Sequence, residues 1–230
     1  MPITCCISIA IYTIGVALVI ATHRIAIALQ QSIPMRYPEG HKEEARARMV
    51  AAAGRGFRKH GFGGIGVDGL AKEAKVTSGA LYGHFPSKTA AFKEAAIAGL
   101  EELRSGVLAF RAQHGADWLE PFLDFYLGFK RVCELGESCG LQSLTPEVCR
   151  ADEDVRAAYE LHLQGVVHAV ADGLPGGTAA DRHQRAWSLL SLLPGAVTMA
   201  RATSGGAVSE EIAHAVRAAA LLVARTPGEG

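Results

Sequence analysis

The chain has 230 residues, 49% of them hydrophobic, with 23 Lys+Arg against 23 Asp+Glu, so its formal charge is zero. That is enough to bury a sizeable core in one or two domains. Its five cysteines, at 5, 6, 133, 139 and 149, form no CxxC pair and stand at no His spacing, which excludes a zinc site and a disulfide framework and points to a reducing cytoplasm.

The neutral total hides an asymmetry. Residues 36–104 carry 12 Lys/Arg and 8 Asp/Glu, and residues 105–230 carry 10 and 15. A basic front on an acidic body fits a polyanion partner for the front only. Before both, Met1 to Thr22 holds no charge, and ISIAIYTIGVALVIA is long enough to be a transmembrane candidate. It lacks the positive start and the cleavage site of a secretory signal. His23 and Arg24 after it favour a cytoplasmic C-terminal side. Three readings compete: a membrane anchor, an extra helix packed on the body, or a misassigned start with Met35 as the true initiator. The last is preferred, because the charged helical pattern of a soluble protein begins right after Met35.

From Pro38 on, the pattern is helical. HKEEARARMVAAAGRGFRKHG brings Met49, Ala52, Ala53, Gly56 and Phe57 to one side and stops at Gly61. Short helices are predicted over Val67–Ala74 and Ser78–Gly83. Ser87 is predicted to cap a longer helix with Phe92, Ala95, Ala96, Gly99, Leu100 and Leu103 on one face. Asp117 and Glu120 make a capping-box pattern, Thr145-Pro146 a cap and first helical position, and Asp152 another cap. A helix follows from Ala179, kinked at Pro194, and Ser209 is predicted to cap the last one through Arg225. No strand pattern of useful length appears, so the fold class is all-α.

Gly61-x-Gly63-x-x-Gly66 matches a dinucleotide fingerprint, but its context does not. A basic helix precedes it instead of a strand, and no acid stands some 20 residues on. No cofactor is expected. The glycines read better as a loop between helices, with Gly66 capping the helix from Val67. Leu70, Ala71 and Ala74 then face inward, Lys75-Val76 makes a turn, and Leu81 and Phe85 anchor a second helix. That is a helix-turn-helix pattern. The short side chains of Thr77, Ser78, Gly79 and Ala80 let the second helix approach base edges and phosphates. Tyr82, His84 and Lys88 offer groups for the phosphate backbone. An ordinary helical hairpin is the competing reading, and Gly69 inside the first helix counts against stability by about 1 kcal/mol.

At these residues, Phe62 to Val67 and LAKEAKVTSGALYGHFPSK, with LY-x-HF-x-SK at Leu81 to Lys88 the most specific part, the chain resembles the DNA-binding domain of TetR/AcrR-family regulators. The resemblance spans roughly His41 to Leu103. It implies a three-helix DNA-binding head, a linking fourth helix and an all-α body that binds a ligand and dimerises through its last two long helices. It puts Thr77, Ser78 and Gly79 at the groove and Tyr82, His84 and Lys88 at the backbone, with Val67 of the first helix in the same DNA-binding set. Gly66 stands where the family usually has Thr or Ser, and Asp68 and Gly69 also depart from it. CGLQSLTPEV and RAWSLLSLLPGAVTMARAT are similar to the LmrA/YxaF-type branch.

The expected organisation is an apolar extension over 1–35, a helix-turn-helix domain over 36–86 and an effector-binding and dimerisation domain over 87–230. In the body, helical spacing aligns Phe122, Phe125 and Phe129, followed by Cys133. Core packing is the plainer reading; an apolar effector cavity is the sharper one. The ligand candidates are Phe122, Phe125, Phe129, Cys133, His162 and Trp187, with Gln164 and His168 as further polar groups. Cys139 as a redox sensor is disfavoured, since no cation beside it in sequence stabilises a thiolate. The sequence thus reads as a non-enzymatic, cytoplasmic regulator, a repressor that binds a near-palindromic double-stranded DNA operator as a homodimer and answers to a small apolar effector. The alternatives are a membrane-tethered sensor using residues 1–22 and a small helical enzyme.

Overall fold

The computed structural model describes residues 39–204 and 206–226. Nine α-helices and no strand occur among them: α1 Glu39–Gly64, α2 Val67–Glu73, α3 Ser78–Tyr82, α4 Lys88–His114, α5 Leu119–Val132, α6 Gly140–Val148, α7 Glu153–Ala171, α8 Ala179–Ala202 and α9 Ala207–Arg225. The chain divides between Glu44 and Ala45, and every interaction below lies in the part that starts at Ala45. Residues 1–35, with their anchor and start-site readings, lie outside the described residues. Among the described residues no helix is long and apolar enough to cross a membrane.

One apolar core runs from Met49 to Ala224. Its front part is aromatic. Phe57 on α1 meets Phe92 on α4 edge-on at 5.2 Å, and Phe62 closes the cluster at 6.0 Å from Phe57 and 5.2 Å from Phe92. Phe62 reaches that position because the helix breaks at Gly61, whose φ of 71° suits glycine. Behind this cluster, α4 packs along α6 and α7, and α8 packs along α9. The predicted inner face of α4, Phe92 to Leu103, is buried, and Ser87 caps the helix by accepting from the Ala90 amide. Asp152 caps α7 as expected, accepting from the Val155 amide.

Three predicted caps are corrected. The Asp117–Glu120 box does not form. Trp118 already has helical angles and sends its indole N–H to the Gly173 carbonyl at 2.8 Å, while Glu120 pairs with Arg217 and Arg225 of α9. Thr145 does not open a helix at Pro146. Helix α6 starts six residues earlier, at Gly140, and the Thr145 hydroxyl donates back to the Leu141 carbonyl. Ser209 is not the last cap. Helix α9 starts after Gly206, and buried Ser209 accepts from Arg131 of α5.

Candidate nucleic-acid interface and body cavity

Helix α2 is held from below by Leu70 and Ala71, both buried. Lys75 then turns the chain with φ 56°, and the Val76 amide donates to the Ala71 carbonyl at 2.9 Å. The turn delivers Thr77 in an extended conformation, where its hydroxyl accepts from the Ala80 amide at 3.2 Å and starts α3. Leu81 and Phe85 pin the far side of α3 in the core. The opposite side stays open: Thr77, Gly79 and Ala80 are exposed, and Tyr82 is 54% exposed.

Ser78 is half-buried, and its hydroxyl donates to Asp68 Oδ1 at 2.5 Å, which ties α3 to the start of α2. Val67 and His84 are also half-buried. Lys88, on the first turn of α4, holds its ammonium 4.5 Å from the centre of the Phe62 ring. The structure therefore brings Thr77, Ser78, Gly79 and Tyr82 onto one short helix, with His84 and Lys88 following it and Val67 opening the neighbouring helix.

Charge around this face is partly spent. Glu73 accepts from both Lys59 and Arg55 at 3.3 Å. Burial pushes its carboxyl up, yet the two hydrogen bonds and the charges behind them leave it below its ordinary value. Among the described residues, Lys72 and Lys75 are exposed and make no ion pair. They are cations beside the turn that the sequence reading left out; the charge excess of the front was the signal that could have found them. Gly69, counted there as a weakness, has a packing reason: a Cβ at this position would lie 2.8 Å from Ile65 Cγ1.

Polar contacts tie this region to the helices behind it. Arg58 of α1, with a side chain only 8% exposed, donates to the Gly136 carbonyl at 3.2 Å and to Glu102 Oε2 of α4 at 2.8 Å. The Phe62 amide donates to Glu147 Oε1 of α6 at 3.3 Å.

The ligand candidates of the body divide. Phe122 and Phe125 line a cavity of about 190 Å³ between α4 and α5, with Phe129 stacked on Phe125 at 5.6 Å between ring centres. Cys133, half-buried, receives a hydrogen bond from Arg201. His162 sits on α7 with Nδ1 2.7 Å from Glu101 Oε1. Trp187 is at the surface of α8 and donates to His183. Cys133, His162 and Trp187 are not among the residues that line this cavity, whereas Phe110, Tyr126 and Cys139, not proposed from sequence, are. No group of three or more His, Cys, Asp or Glu among the described residues is arranged to hold a metal ion.

Residues 49–95 match the family described as bacterial regulatory proteins, tetR family. The HTH-type transcriptional repressor NemR of Escherichia coli K12 is 27% identical over 143 residues, 59% of this chain and 70% of that protein. The solved structure of E. coli NemR in its reduced form superposes with a TM-score of 0.63 at 21% identity, covering 80% of this chain and all of the other. A TetR-family regulator from Streptomyces coelicolor superposes with a TM-score of 0.64 at 23% identity, covering 81% of this chain and 97% of the other. These superpositions place the whole described fold, not only its front, among helix-turn-helix heads joined to helical bodies.

Proposed function

Because the chain belongs to the tetR family of bacterial regulatory proteins, transcriptional regulators rather than enzymes, we propose that it is a dimeric cytoplasmic repressor, released from a near-palindromic operator by a small effector. One observation carries this: α3 shows Thr77, Gly79 and Ala80 to solvent while Leu81 and Phe85 hold it rigidly from behind. A short helix that is fixed on one side and nearly free of bulk on the other fits the major groove. In this reading residues 36–86 form the head and 87–230 the body. Thr77, Ser78 and Gly79 face base edges. Tyr82, His84 and Lys88 hold phosphates together with Lys72 and Lys75, and Val67 approaches the backbone from α2.

The dimer reading rests on α8 and α9. Both expose small and apolar side chains at helical spacing: Trp187, Ser191, Gly195 and Met199 on α8, and Val208, Ala215, Ala218 and Leu222 on α9. Met199 is 62% and Leu222 67% exposed, an arrangement suited to a second copy more than to water. Two heads joined through these helices reach half-sites about one helical turn apart. Repression is carried over from NemR, a relative named a repressor.

The test is a mobility shift on the DNA upstream of the protein's own gene. The wild-type chain is expected to retard it, and Ala80→Glu, which adds a carboxylate at an exposed position, is expected to lose the shift while keeping its helical circular-dichroism spectrum. A folded Ala80→Glu variant that binds as well as wild type would remove α3 from the interface.

A further inference from the structure

Asp68 and Ser78 belong to different helices and meet beside the open side of α3. Asp68 is the second residue of α2 and is exposed; Ser78 is the first residue of α3 and is half-buried. The Ser78 hydroxyl donates to Asp68 Oδ1 at 2.5 Å. Among the described residues the Asp68 carboxylate has no other hydrogen bond and no ion pair, although Lys72 stands one turn further along α2.

This tie fixes the direction in which Ser78 can hydrogen-bond. A serine hydroxyl donates one proton and accepts through its lone pairs, whereas a carboxylate only accepts. The carboxylate therefore takes the Ser78 proton and leaves the Ser78 oxygen as an acceptor. Thr77 is the opposite case. Its hydroxyl accepts from the Ala80 amide at 3.2 Å and keeps its own proton to give. In the major groove, adenine and cytosine show an amino donor, at N6 and N4. Guanine shows O6 and N7 and thymine shows O4, all acceptors. An oxygen without a proton gains a hydrogen bond from the first two bases and meets only lone pairs on the other two. The Asp68 charge beside it adds the same bias.

A structural role for Asp68 is the competing explanation. It stands in the first turn of α2, where Gly66 supplies no side-chain cap, and an acidic residue there stabilises a helix. A carboxylate set against phosphates, however, weakens DNA binding. This one is exposed next to Thr77, Gly79 and Ala80, the side of α3 that the regulator reading sets in the groove, while exposed Lys72 and Lys75 remain for the backbone.

We propose that Ser78, held as an acceptor by Asp68, requires a base with an exocyclic amino group at one position of each half-site, adenine or cytosine, and rejects guanine and thymine there. Asp68 is the positioning residue, acting through Ser78. This rests on the regulator reading and adds a base class to it.

Selection of DNA from a random pool by the wild-type chain and by Asp68→Ala tests this. The wild-type pool is expected to hold A or C, and neither G nor T, on one strand at that position. Asp68→Ala returns the proton to Ser78; its pool is expected to admit all four bases there and to keep its other preferences. Affinities are then measured for the wild-type consensus and for a copy whose base lacks the amino group, purine for adenine or pyrimidin-2-one for cytosine. Losing the amino group is expected to cost the wild type roughly fivefold to tenfold, the worth of one hydrogen bond to a charge-assisted acceptor, and to cost Asp68→Ala nothing. Ser78→Ala, which removes the acceptor, is expected to lose the same discrimination. A wild type indifferent to the amino group, or either variant that keeps the wild-type discrimination, overturns the proposal. So does an Asp68→Ala chain that weakens on all sequences alike, the result of a tie that only joins α2 to α3. A wild-type pool that stays random sinks the regulator reading itself; an enriched pool without this signature sinks the pairing and spares that reading.

Discussion

Lys88 lies over the ring of Phe62 at 4.5 Å, so the core fixes a cation at the start of α4, one turn of chain beyond α3. A phosphate contact from such a group adds affinity without base information. Lys88→Ala is therefore expected to weaken binding at all sequences alike and to reduce the slope of log affinity against log salt by about 1. An unchanged slope takes Lys88 out of the contacts. A second residue makes a pH prediction. The hydrogen bond with His162 holds the Glu101 carboxyl below its ordinary value, helped by Arg104 and opposed by burial. A carboxylate lowered in the folded state adds stability above its unfolded value and loses it as pH falls through its folded value. The stability difference between wild type and Glu101→Gln is thus expected to be present near about pH 6 and to shrink as pH falls through the carboxylate range. Urea unfolding at a series of pH values reads it; a difference that grows toward acid contradicts the pairing.

At the scale of elements, the short helices of the head were legible because their signals are local. Gly61 stops a helix, Thr77 caps one, and Leu70, Leu81 and Phe85 recur where a small three-helix core needs them. What misled was also local. Asp117, Thr145 and Ser209 have the chemistry of caps, but each region has a partner that sequence spacing does not reveal: Gly173 for the Trp118 indole, Tyr159 for Thr145, Arg131 for Ser209. The ligand candidates fared similarly. Helical spacing found Phe122 and Phe125 on the cavity wall. It could not bring in Phe110 from α4 or Cys139 from before α6, because only the packing of three helices joins them. Nor could it show that Gly99 and Gly140, 41 residues apart, touch. That contact makes a contrast between two glycines. Gly140→Ala forces α4 and α6 apart and is expected to cost about 1–3 kcal/mol. Gly128→Ala, in α5 with nothing within 4 Å of its new Cβ, is expected to stabilise by about 0.5–1 kcal/mol. Thermal unfolding of both compares them, and equal effects would mean the α4–α6 approach tolerates a methyl group.

For the whole molecule, the reading needs two coupled ends: a head that grips DNA and a body that pairs with a second copy and answers to a ligand. Arg58 ties α1 to both the Gly136 carbonyl and Glu102, so a shift in the body has a polar route to the head. For an effector to act, it must bind the released state more tightly than the DNA-bound one, a coupling of typically about 1–3 kcal/mol. The partner surface on α8 and α9 is the other requirement. Leu222→Asp is expected to yield monomers in light scattering behind size exclusion and, with them, loss of operator affinity.

The account stands or falls most directly on selection of bound DNA from a random pool, carried out with the wild-type chain. It predicts one enriched near-palindromic sequence whose half-sites lie about 10 base pairs apart, or a multiple of that spacing, and a changed preference within the half-site when Thr77 is replaced by Ala. A pool that stays random, or a single unrepeated site whose preference is indifferent to Thr77, would contradict it.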